Sequence, residues 1–297
     1  MRIAARKDMA MDGLSDTGTK VRALPVSGAL RPYVRALMAT EIACSGPLPM
    51  AVAPHESIML SVNLGRAAAS IEQKGAHGHN TSLTGIREWT GAFNGAGNCV
   101  TLFALLTPLG VVQLLDSQPL DRVPRIRAPV AGLLDQRVTR RLESGIALAP
   151  TLEARLLTFA SWLEERATAA RKLDRTALRA GRAAMRLCQQ PRLPIETLAD
   201  EQAVSRRQLE RDFGRWIGTS PRHLAQVARL QAVSRRAQAH GASLADIAAD
   251  VGFADQSHMS RVVRQLTGLT PQRFVRARQS PLAQTFRQAT GGGTVYL

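Results

Sequence analysis

The sequence predicts an α+β protein in which a β-rich part comes first and an all-α part follows. Three observations lead to this prediction. Apolar and polar residues alternate in the first part, which is the two-residue period of strands. After about residue 110 the apolar residues recur every three or four positions, which is the period of helices. A repeat of about fifty residues then divides the last third of the chain into two similar helical units.

The β-rich part is predicted to cover residues 23–168, to form a sandwich or a cupin-like sheet, and to end in helices. In residues 57–64 every second residue is apolar, as in a strand that buries one face. Residues 100–106 form an apolar run, as in a strand that is covered on both faces. Clusters of Gly, Pro, Asn and His between such segments indicate turns. Thr151 is placed to cap a helix with one apolar face.

The ends of the chain and its cysteines indicate the cellular compartment of the protein. Residues 1–22 are polar and expected to be disordered, and residues 280–297 contain three consecutive glycines, which indicates a flexible tail. Basic residues at the N-terminus are not followed by an apolar stretch, so we expect no secretory signal. Three widely spaced cysteines without zinc-ligand spacing indicate a reducing compartment. We therefore expect a cytoplasmic protein without a membrane partner.

The charge of the chain is strongly positive and unevenly distributed. The 297 residues include 39 Lys and Arg against 23 Asp and Glu, a net charge of +16. Residues 171–279 hold 20 of these basic residues and 9 of the acidic ones, a net charge of +11. A basic protein can bind nucleic acid, an anionic membrane surface or an acidic protein. Because the charge is concentrated in one segment, binding to the phosphates of a nucleic acid is favoured over the other two.

The repeat gives each helical unit the same sequence of signals. Each copy begins with a short helix, for which Ser243 and Asp246 form a capping box in the second copy. A tight turn follows, and a second helix begins at the capping residue Ser205 or Asp255. The repeated positions in the first copy are Leu209, Arg211, Phe213, Gly218, Ser220, Pro221 and Leu224, and in the second copy Met259, Arg261, Val263, Gly268, Thr270, Pro271 and Phe274. The spacing predicts two tandem helix-turn-helix units.

A spacer helix is predicted between the two units. Pro221 suits the first position of this helix, and the helix is expected to continue to about His240. About nineteen residues at 1.5 Å each would span roughly 28 Å. Successive major-groove faces of a duplex lie roughly 34 Å apart. A spacer of this length suits one chain that contacts two adjacent groove segments.

The second helix of each unit has an exposed polar face. Arg forms paired hydrogen bonds with guanine, Gln with adenine, and Glu accepts from cytosine. The residues expected to contact bases are Arg206, Arg207, Glu210 and Arg211 in the first unit, and Gln256, Ser257, Ser260 and Arg261 in the second. Ser205, Arg182 and Arg264 are expected to contact phosphates.

At these residues the chain resembles the AraC/XylS family of bacterial transcription regulators. The resemblance covers residues 174–278 and includes the segments 248–253, 257–264 and 267–276. It implies a seven-helix DNA-binding domain with both second helices in the major groove. The chain departs from the family pattern where Met259 and Val263 replace aromatic residues and where Ala203 replaces a glycine.

The resemblance implies a sequence-specific transcription regulator, with a β-rich domain that responds to an effector. We accordingly expect double-stranded DNA, RNA polymerase and a small-molecule effector as partners, and a second copy of the chain in a homodimer. We expect no cofactor, no metal and no catalytic residues.

Two other functions are open. One is an enzyme fused to a DNA-binding module, which would need a reactive cysteine in an electropositive setting. Cys99 lies in an apolar run and Cys188 in a predicted helix, which disfavours that function. The other is an architectural DNA binder without sequence preference, which the polar face of the second unit disfavours.

Several motifs have a second interpretation. His77 and His79 could begin a metal site, but no carboxylate or third histidine follows at suitable spacing, so a solvated loop is favoured. His258 could donate to a phosphate or pack beside the core. Arg211 and Arg261 repeat at one position, so they could instead anchor the fold by pairing with Asp200 or Asp250. The row Arg175, Arg179, Arg182 and Arg186 could be a solvated face or a phosphate-binding edge.

Overall fold

The computed structural model describes residues 20–65, 69–70, 81–116, 118–121, 128–130, 133–169, 173–237, 243–277 and 284. The expected disorder of residues 1–22 is wrong at its end, because the strand Lys20–Leu24 pairs with residues 37–41 of the sheet. Residues 1–19 and the expected tail at 280–297, apart from residue 284, lie outside the described residues. So does the loop with His77 and His79. The expected boundary between a β-rich and a helical part falls between residues 168 and 174 and remains a prediction.

The β-rich part is an antiparallel sheet with the strand order β1-β2-β6-β3-β5-β7, in which β4 also pairs with β6. Its strands are β1 Lys20–Leu24, β2 Val34–Val52, β3 Ile58–Gly65, β4 Ala69–Ser70, β5 Thr81–Thr84, β6 Gly91–Leu106 and β7 Ala128–Pro129. The long pair of β2 and β6 changes register between Cys44 and Leu48. A β-rich part followed by a helical part is therefore confirmed.

The other regular elements of the described chain are helices. They are α1 Pro108–Leu114, α2 Gln136–Leu148, α3 Leu152–Thr168, α4 Arg175–Gln189, α5 Ile195–Glu201, α6 Arg206–Ile217, α7 Pro221–Arg236, α8 Leu244–Val251, α9 Gln256–Thr267 and α10 Pro271–Ala277. The two helix-turn-helix units are α5–α6 and α8–α9, and α7 is the spacer between them. The spacer is shorter than expected, because its last helical residue is Arg236. Its 16 residues span roughly 24 Å rather than 28 Å.

The predicted helix caps are present. Thr151 accepts a hydrogen bond from the backbone N–H of Ala154, and Ser243 forms the capping box with Asp246. Ser205 caps α6 and Asp255 caps α9, each by accepting from a backbone N–H three residues on. The sequence signals therefore located the starts of α6 and α9, the two predicted recognition helices, correctly.

Strand β3 is buried on both faces, although its alternating pattern predicted one buried face. Ile58, Leu60 and Val62 are buried, as the pattern indicated, in an apolar core that also includes residues of α2 and α3. On the opposite face Ser61 and Asn63 are buried as well. The pattern was wrong here because these polar side chains are hydrogen-bonded to neighbouring strands, which removes most of the cost of burying them.

One apolar core extends from the sheet into the first helical unit. It includes Leu60 of β3, Phe159 of α3 and Phe213 of α6. Gly181 allows α4 to approach α1 closely, since a Cβ there would lie 3.3 Å from the Cα of Leu109. A second core surrounds α8 and α9, and Ala53 of the β-rich part joins it. The β-rich part therefore packs against both helical units.

Candidate nucleic-acid interface

The first recognition helix, α6, exposes the face that its sequence predicts. Leu209 and Phe213 are fully buried and fix the rotation of the helix about its axis. This rotation leaves four polar residues exposed to solvent: Arg206, Arg207, Glu210 and Arg211. The structure thus places all four predicted base contacts on one surface.

Arg206 differs from the other arginines of this face because two carboxylates hold it. Its Nη1 lies 2.5 Å from Oε1 of Glu196 on α5, and its Nε lies 3.0 Å from Oε1 of Glu210. Both ion pairs are exposed, so each contributes little to stability. They place two carboxylates on the helix face that is predicted to contact DNA.

Arg207 and Arg211 are free to contact a ligand. Both are exposed, and neither forms an ion pair with any residue that the structure describes. The same holds for Arg261 in the second unit. The alternative pairing of Arg261 with Asp250 is not observed, because Asp250 pairs with Arg236 at 2.6 Å. Pairing of Arg211 with Asp200 is likewise not observed among the described ion pairs.

The second recognition helix, α9, presents a less charged face. Met259 and Val263 are fully buried and set its rotation, as Leu209 and Phe213 do for α6. Gln256, Ser257 and Arg261 are exposed, as is Arg264, whereas Ser260 is half-buried. The ring of His258 packs edge-on against Phe253 with centroids 5.4 Å apart, and its Nδ1 accepts from the backbone N–H of Ala254. Of the two interpretations of His258, the structure supports packing beside the core.

The row of arginines on α4 has two different roles. Arg179 forms a close pair with the buried Asp212 of α6, with Nε at 2.9 Å from Oδ2. Arg186 pairs with Glu201 of α5 at 3.4 Å. Arg175 and Arg182 are exposed and have no ion pair within the described chain. Arg182 thus remains a candidate for phosphate contact, while Arg179 holds α4 against α6.

The predicted phosphate contacts outside α4 also differ from one another. The hydroxyl of Ser205 accepts from the backbone N–H of Gln208, so one of its lone pairs is used in capping α6. Its O–H remains available to donate to a phosphate oxygen. Arg264 is exposed in the last turn of α9.

Two arginines connect the helical units directly. The side chain of Arg192, in the loop before α5, lies against Gly252 in the turn of the second unit and donates to the carbonyl of Ala249. Arg229 of α7 donates from Nε to the carbonyl of Pro191 at 3.0 Å and lies over the ring of Phe253. These contacts restrict the movement of one unit relative to the other.

The β-rich part contacts the end of each recognition helix through its backbone. The N–H of Leu120 donates to the carbonyl of Arg215 in the last turn of α6, at 2.6 Å. The N–H of Thr90 donates to the carbonyl of Leu266 in the last turn of α9, at 2.9 Å. Because the repeat interval is fifty residues, Leu266 is one residue beyond the position that is equivalent to Arg215. A shift of the β-rich part would therefore act on both recognition helices.

The spacer helix is held along one side by the β-rich part. His223 Nε2 lies 2.8 Å from the carbonyl oxygen of Arg87, and Gln231 Nε2 donates to the carbonyl of Pro54 at 2.7 Å. One turn beyond Gln231, Arg235 Nη1 lies 3.3 Å from Oε1 of Glu56. These spacer residues are four or eight positions apart, so they lie on one face of the helix.

Glu56 is a buried carboxylate between the two parts of the molecule. Its Oε1 lies 2.7 Å from Nη1 of Arg35 in the sheet and also contacts Arg235 of the spacer. Burial alone would raise the pKa of Glu56, but the neighbouring His55, Arg35 and Arg235 lower it to about 2. Burial lowers the pKa of His55 to about 4, so His55 is neutral at pH 7 and the two arginines balance the carboxylate.

The importance of Glu56 was missed from the sequence. Its only signal is a charged residue close to the apolar segment that begins at Ile58. Its partner Arg235 is 179 residues away, so no local spacing could connect the two.

A mixed polar and apolar surface, here named the inner face of the sheet, lies on the side opposite Leu60 and Val62. Thr101 Oγ1 donates to Asn63 Oδ1 at 3.0 Å, and the hydroxyls of Ser61 and Ser82 lie 2.9 Å apart. Buried apolar side chains on the same face include Met38, Ile42, Cys99 and Phe103. No residue of this face was nominated from the sequence. Its polar members lie at the alternate positions that a one-sided strand would expose.

Other expectations concern metals, membranes and thiols. Within the described ranges no cluster of His, Cys, Asp or Glu has the geometry of a metal site. No described helix is both long enough and apolar enough to cross a bilayer. Cys99 and Cys188 are free thiols, and both are buried. Contacts with RNA polymerase and with a second copy of the chain stay predictions.

Comparison with known proteins gives a match in the helical part. Residues 198–277 match a family model described as a helix-turn-helix domain. No curated protein matches the sequence at a significant level. Among solved structures, the chain is 28% identical to a transcriptional regulator with an AraC-type DNA-binding domain from Chromobacterium violaceum, covering 35% of this chain and 94% of that one, with a TM-score of 0.33.

Two further solved structures are similar to parts of this chain. The C-terminal domain of AraT, a response regulator from Geobacillus stearothermophilus, is 23% identical over 35% of this chain and 89% of that one, with a TM-score of 0.33. ToxT from Vibrio cholerae O395 is 11% identical over 81% of this chain and 97% of that one, with a TM-score of 0.44.

Proposed function

We propose that the protein is a sequence-specific DNA-binding transcription regulator of the AraC type, and the match of residues 198–277 to a helix-turn-helix domain supports this. In this proposal α6 and α9 enter successive major-groove segments of one duplex. The β-rich part, through its contacts with both helices, controls how well they fit the DNA.

The observation on which this proposal rests is the matched exposure of two polar helix faces. Arg207 and Arg211 on α6 correspond to Ser257 and Arg261 on α9, and all four side chains are exposed. Arginine pairs with guanine through two hydrogen bonds, which gives sequence preference rather than general attraction to phosphate. An architectural binder would need only the positive charge and not the polar side chains of α9.

The geometry between the two helices supports binding by one chain. The spacer α7 and the contacts of Arg192 and Arg229 hold the second unit against the first. A fixed arrangement lowers the entropy cost of placing both helices in the grooves at once. We therefore expect a bipartite site whose two elements are separated by about one turn of the duplex.

The inner face of the sheet is the candidate effector site. Asn63, Thr101 and Ser61 offer hydrogen-bonding groups beside the apolar Met38 and Phe103, the mixture found in pockets for small organic molecules. Binding there would act on DNA affinity through the backbone contacts at Leu120 and Thr90. A thermal-shift screen of metabolites tests this part, with Asn63→Leu as the variant expected to lose the stabilisation by any ligand found.

Selection from random DNA tests the DNA-binding proposal itself. The full-length chain is incubated with a random-sequence duplex pool, and the bound fraction is amplified and sequenced over several rounds. The proposal predicts enrichment of two short elements at constant spacing. Enrichment of a single element would contradict the bipartite mode. A pool that binds without enrichment would favour an architectural DNA binder.

A further inference from the structure

A cavity of about 930 Å³ lies where α4, α7 and α8 end, and none of its lining residues belongs to a recognition helix. Its walls include Cys188 from the end of α4, Pro191 from the loop after it, Arg235 and Arg236 from the spacer, and Asp250 from the second unit. The volume is within the range of roughly 300–1,000 Å³ that proteins use for small organic ligands. It is separate from the inner face of the sheet.

The cavity has a surplus of positive charge. Arg192, Arg235 and Arg236 line it, together with the single acid Asp250. Asp250 pairs with Arg236, and Arg235 shares Glu56 with a further arginine, Arg35 of the sheet. The hydrogen bond of Arg192 goes to the neutral carbonyl of Ala249. The charges of these arginines are therefore incompletely balanced.

A neighbouring arginine is affected by this crowding. The pKa of Arg229 is lowered, first because the side chain is partly buried and second because Arg192 is close to it. Bringing an anion to Arg192 would relieve this repulsion, so the local field favours a negatively charged ligand.

The inner wall of the cavity is neutral and partly apolar. Cys188 and Val251 are buried. Burial raises the pKa of the Cys188 thiol to about 12, so this wall carries no negative charge at neutral pH. A ligand that fits both surfaces has an anionic group and a compact apolar body.

We propose that this cavity binds a small organic anion, with its charged group at Arg192, Arg235 and Arg236 and its apolar body against Cys188 and Val251. Because Arg235 also holds Glu56, the bound anion competes with Glu56 for the same guanidinium. Occupancy of the cavity thus weakens the contact between the spacer helix and the sheet. The site lies in the helical part and does not depend on how the protein contacts DNA.

The test uses 1-anilinonaphthalene-8-sulfonate, an aromatic sulfonate whose fluorescence increases when it leaves water. The full-length chain is titrated with this probe at low salt, alongside Arg235→Gln and Arg236→Gln. Each variant is expected to bind the probe at least about fivefold more weakly, because each removes a charged hydrogen-bond donor. Arg222→Gln is the matched control, since Arg222 is an exposed arginine on the same helix outside the cavity. It should leave the affinity unchanged.

DNA phosphates are the other source of anions, and a parallel measurement separates the two. The proposal predicts that Arg236→Gln weakens binding of the sulfonate, while the affinity for DNA changes less than twofold. If Arg236→Gln weakens DNA binding and leaves sulfonate binding unchanged, these arginines contact the DNA backbone and the proposal is overturned. It is also overturned if Arg222→Gln weakens binding of the sulfonate as much as Arg236→Gln does. The probe would then respond to the overall positive charge of the protein and not to the cavity.

Discussion

Ala203 and Gly252 occupy the same turn position in the two helix-turn-helix units, and both have left-handed backbone conformations. Their φ angles are 53° and 91°. Glycine adopts this region without strain, whereas alanine brings its Cβ close to a backbone carbonyl oxygen. The turn of the first unit therefore has the same geometry as the turn of the second, although it lacks the glycine that favours this geometry. The turn is maintained by hydrogen bonds from the N–H groups of Ala203 and Val204 to the end of α5.

Replacing Ala203 by glycine should stabilise the protein. Relief of the left-handed strain outweighs the added freedom of the unfolded chain, so we expect a gain of up to about 1 kcal/mol in the free energy of unfolding. The converse change, Gly252→Ala, should destabilise by more than about 1 kcal/mol, because its Cβ would also collide with Arg192. Urea unfolding of both variants measures this. Equal and small effects at both positions would show that the turns are not strained.

The pair of Asp212 and Arg179 should be essential to the first unit. Asp212 is buried and also accepts from Gln208 Nε2 at 2.7 Å. Asp212→Ala leaves Arg179 without its partner, so we expect a loss of roughly 3 kcal/mol in the free energy of unfolding. Glu201→Ala breaks the more exposed pair with Arg186 and should cost less than about 1 kcal/mol. Similar losses for the two variants in thermal or urea unfolding would contradict this difference.

Local sequence signals predicted the helical part well. The capping residues Ser205, Ser243 and Asp255 specify where helices begin through contacts within three residues, and the buried pair Leu209 and Phe213 sets the rotation of α6. Such information lies within a few residues of the chain. The exposed faces of α6 and α9 could therefore be located from the sequence.

Long-range partners could not be predicted in this way. Asn63 pairs with Thr101 and Glu56 with Arg235, and both connections depend on how distant segments meet. Strand β3 has the polar residues of a solvent-facing side, yet these residues are buried and hydrogen-bonded to the neighbouring strands. The length of α7 was overestimated because the apolar stripe continues to Ala237, where the helix has already ended.

Acid should destabilise the protein through His55. In the unfolded chain a histidine has a pKa near 6.5, whereas burial lowers the pKa of His55 to about 4 in the folded state. The unfolded state therefore binds more protons between these pH values, and stability falls as the pH decreases through this window. The loss should reach roughly 3 kcal/mol near pH 4.

The variant His55→Asn should remove this dependence between about pH 6.5 and 4. A further decline below about pH 4.5 should persist in the variant, because the pKa of Glu56 is lowered in the folded protein and the unfolded chain therefore takes up a proton on this carboxylate first. Urea unfolding of both proteins across this range measures the difference. Parallel pH profiles for the two proteins would contradict the assignment to His55.

Releasing Arg206 should strengthen DNA binding. Glu196 holds this arginine at 2.5 Å on the exposed edge of the recognition face. Glu196→Gln removes one of the two carboxylates near the DNA, so we expect tighter binding with a steeper dependence on salt. Fluorescence anisotropy with a labelled duplex at several salt concentrations measures both quantities. Glu153→Gln, an exposed acid on α3, serves as the control and should change neither.

Base preference in variants of the two recognition helices tests the central claim most directly. The full-length chain and the variants Arg207→Ala, Arg261→Ala and Arg182→Ala are each measured on a selected site, on all its single-base changes, and across salt. Losing an arginine that contacts guanine should cost roughly 1–3 kcal/mol and relax the preference at one base position. Arg207→Ala should do so in one element of the site and Arg261→Ala in the other. Arg182→Ala should weaken all sequences alike and reduce the salt slope by about one unit. Unchanged base preferences in both recognition-helix variants, with an altered preference in Arg182→Ala, would contradict the account.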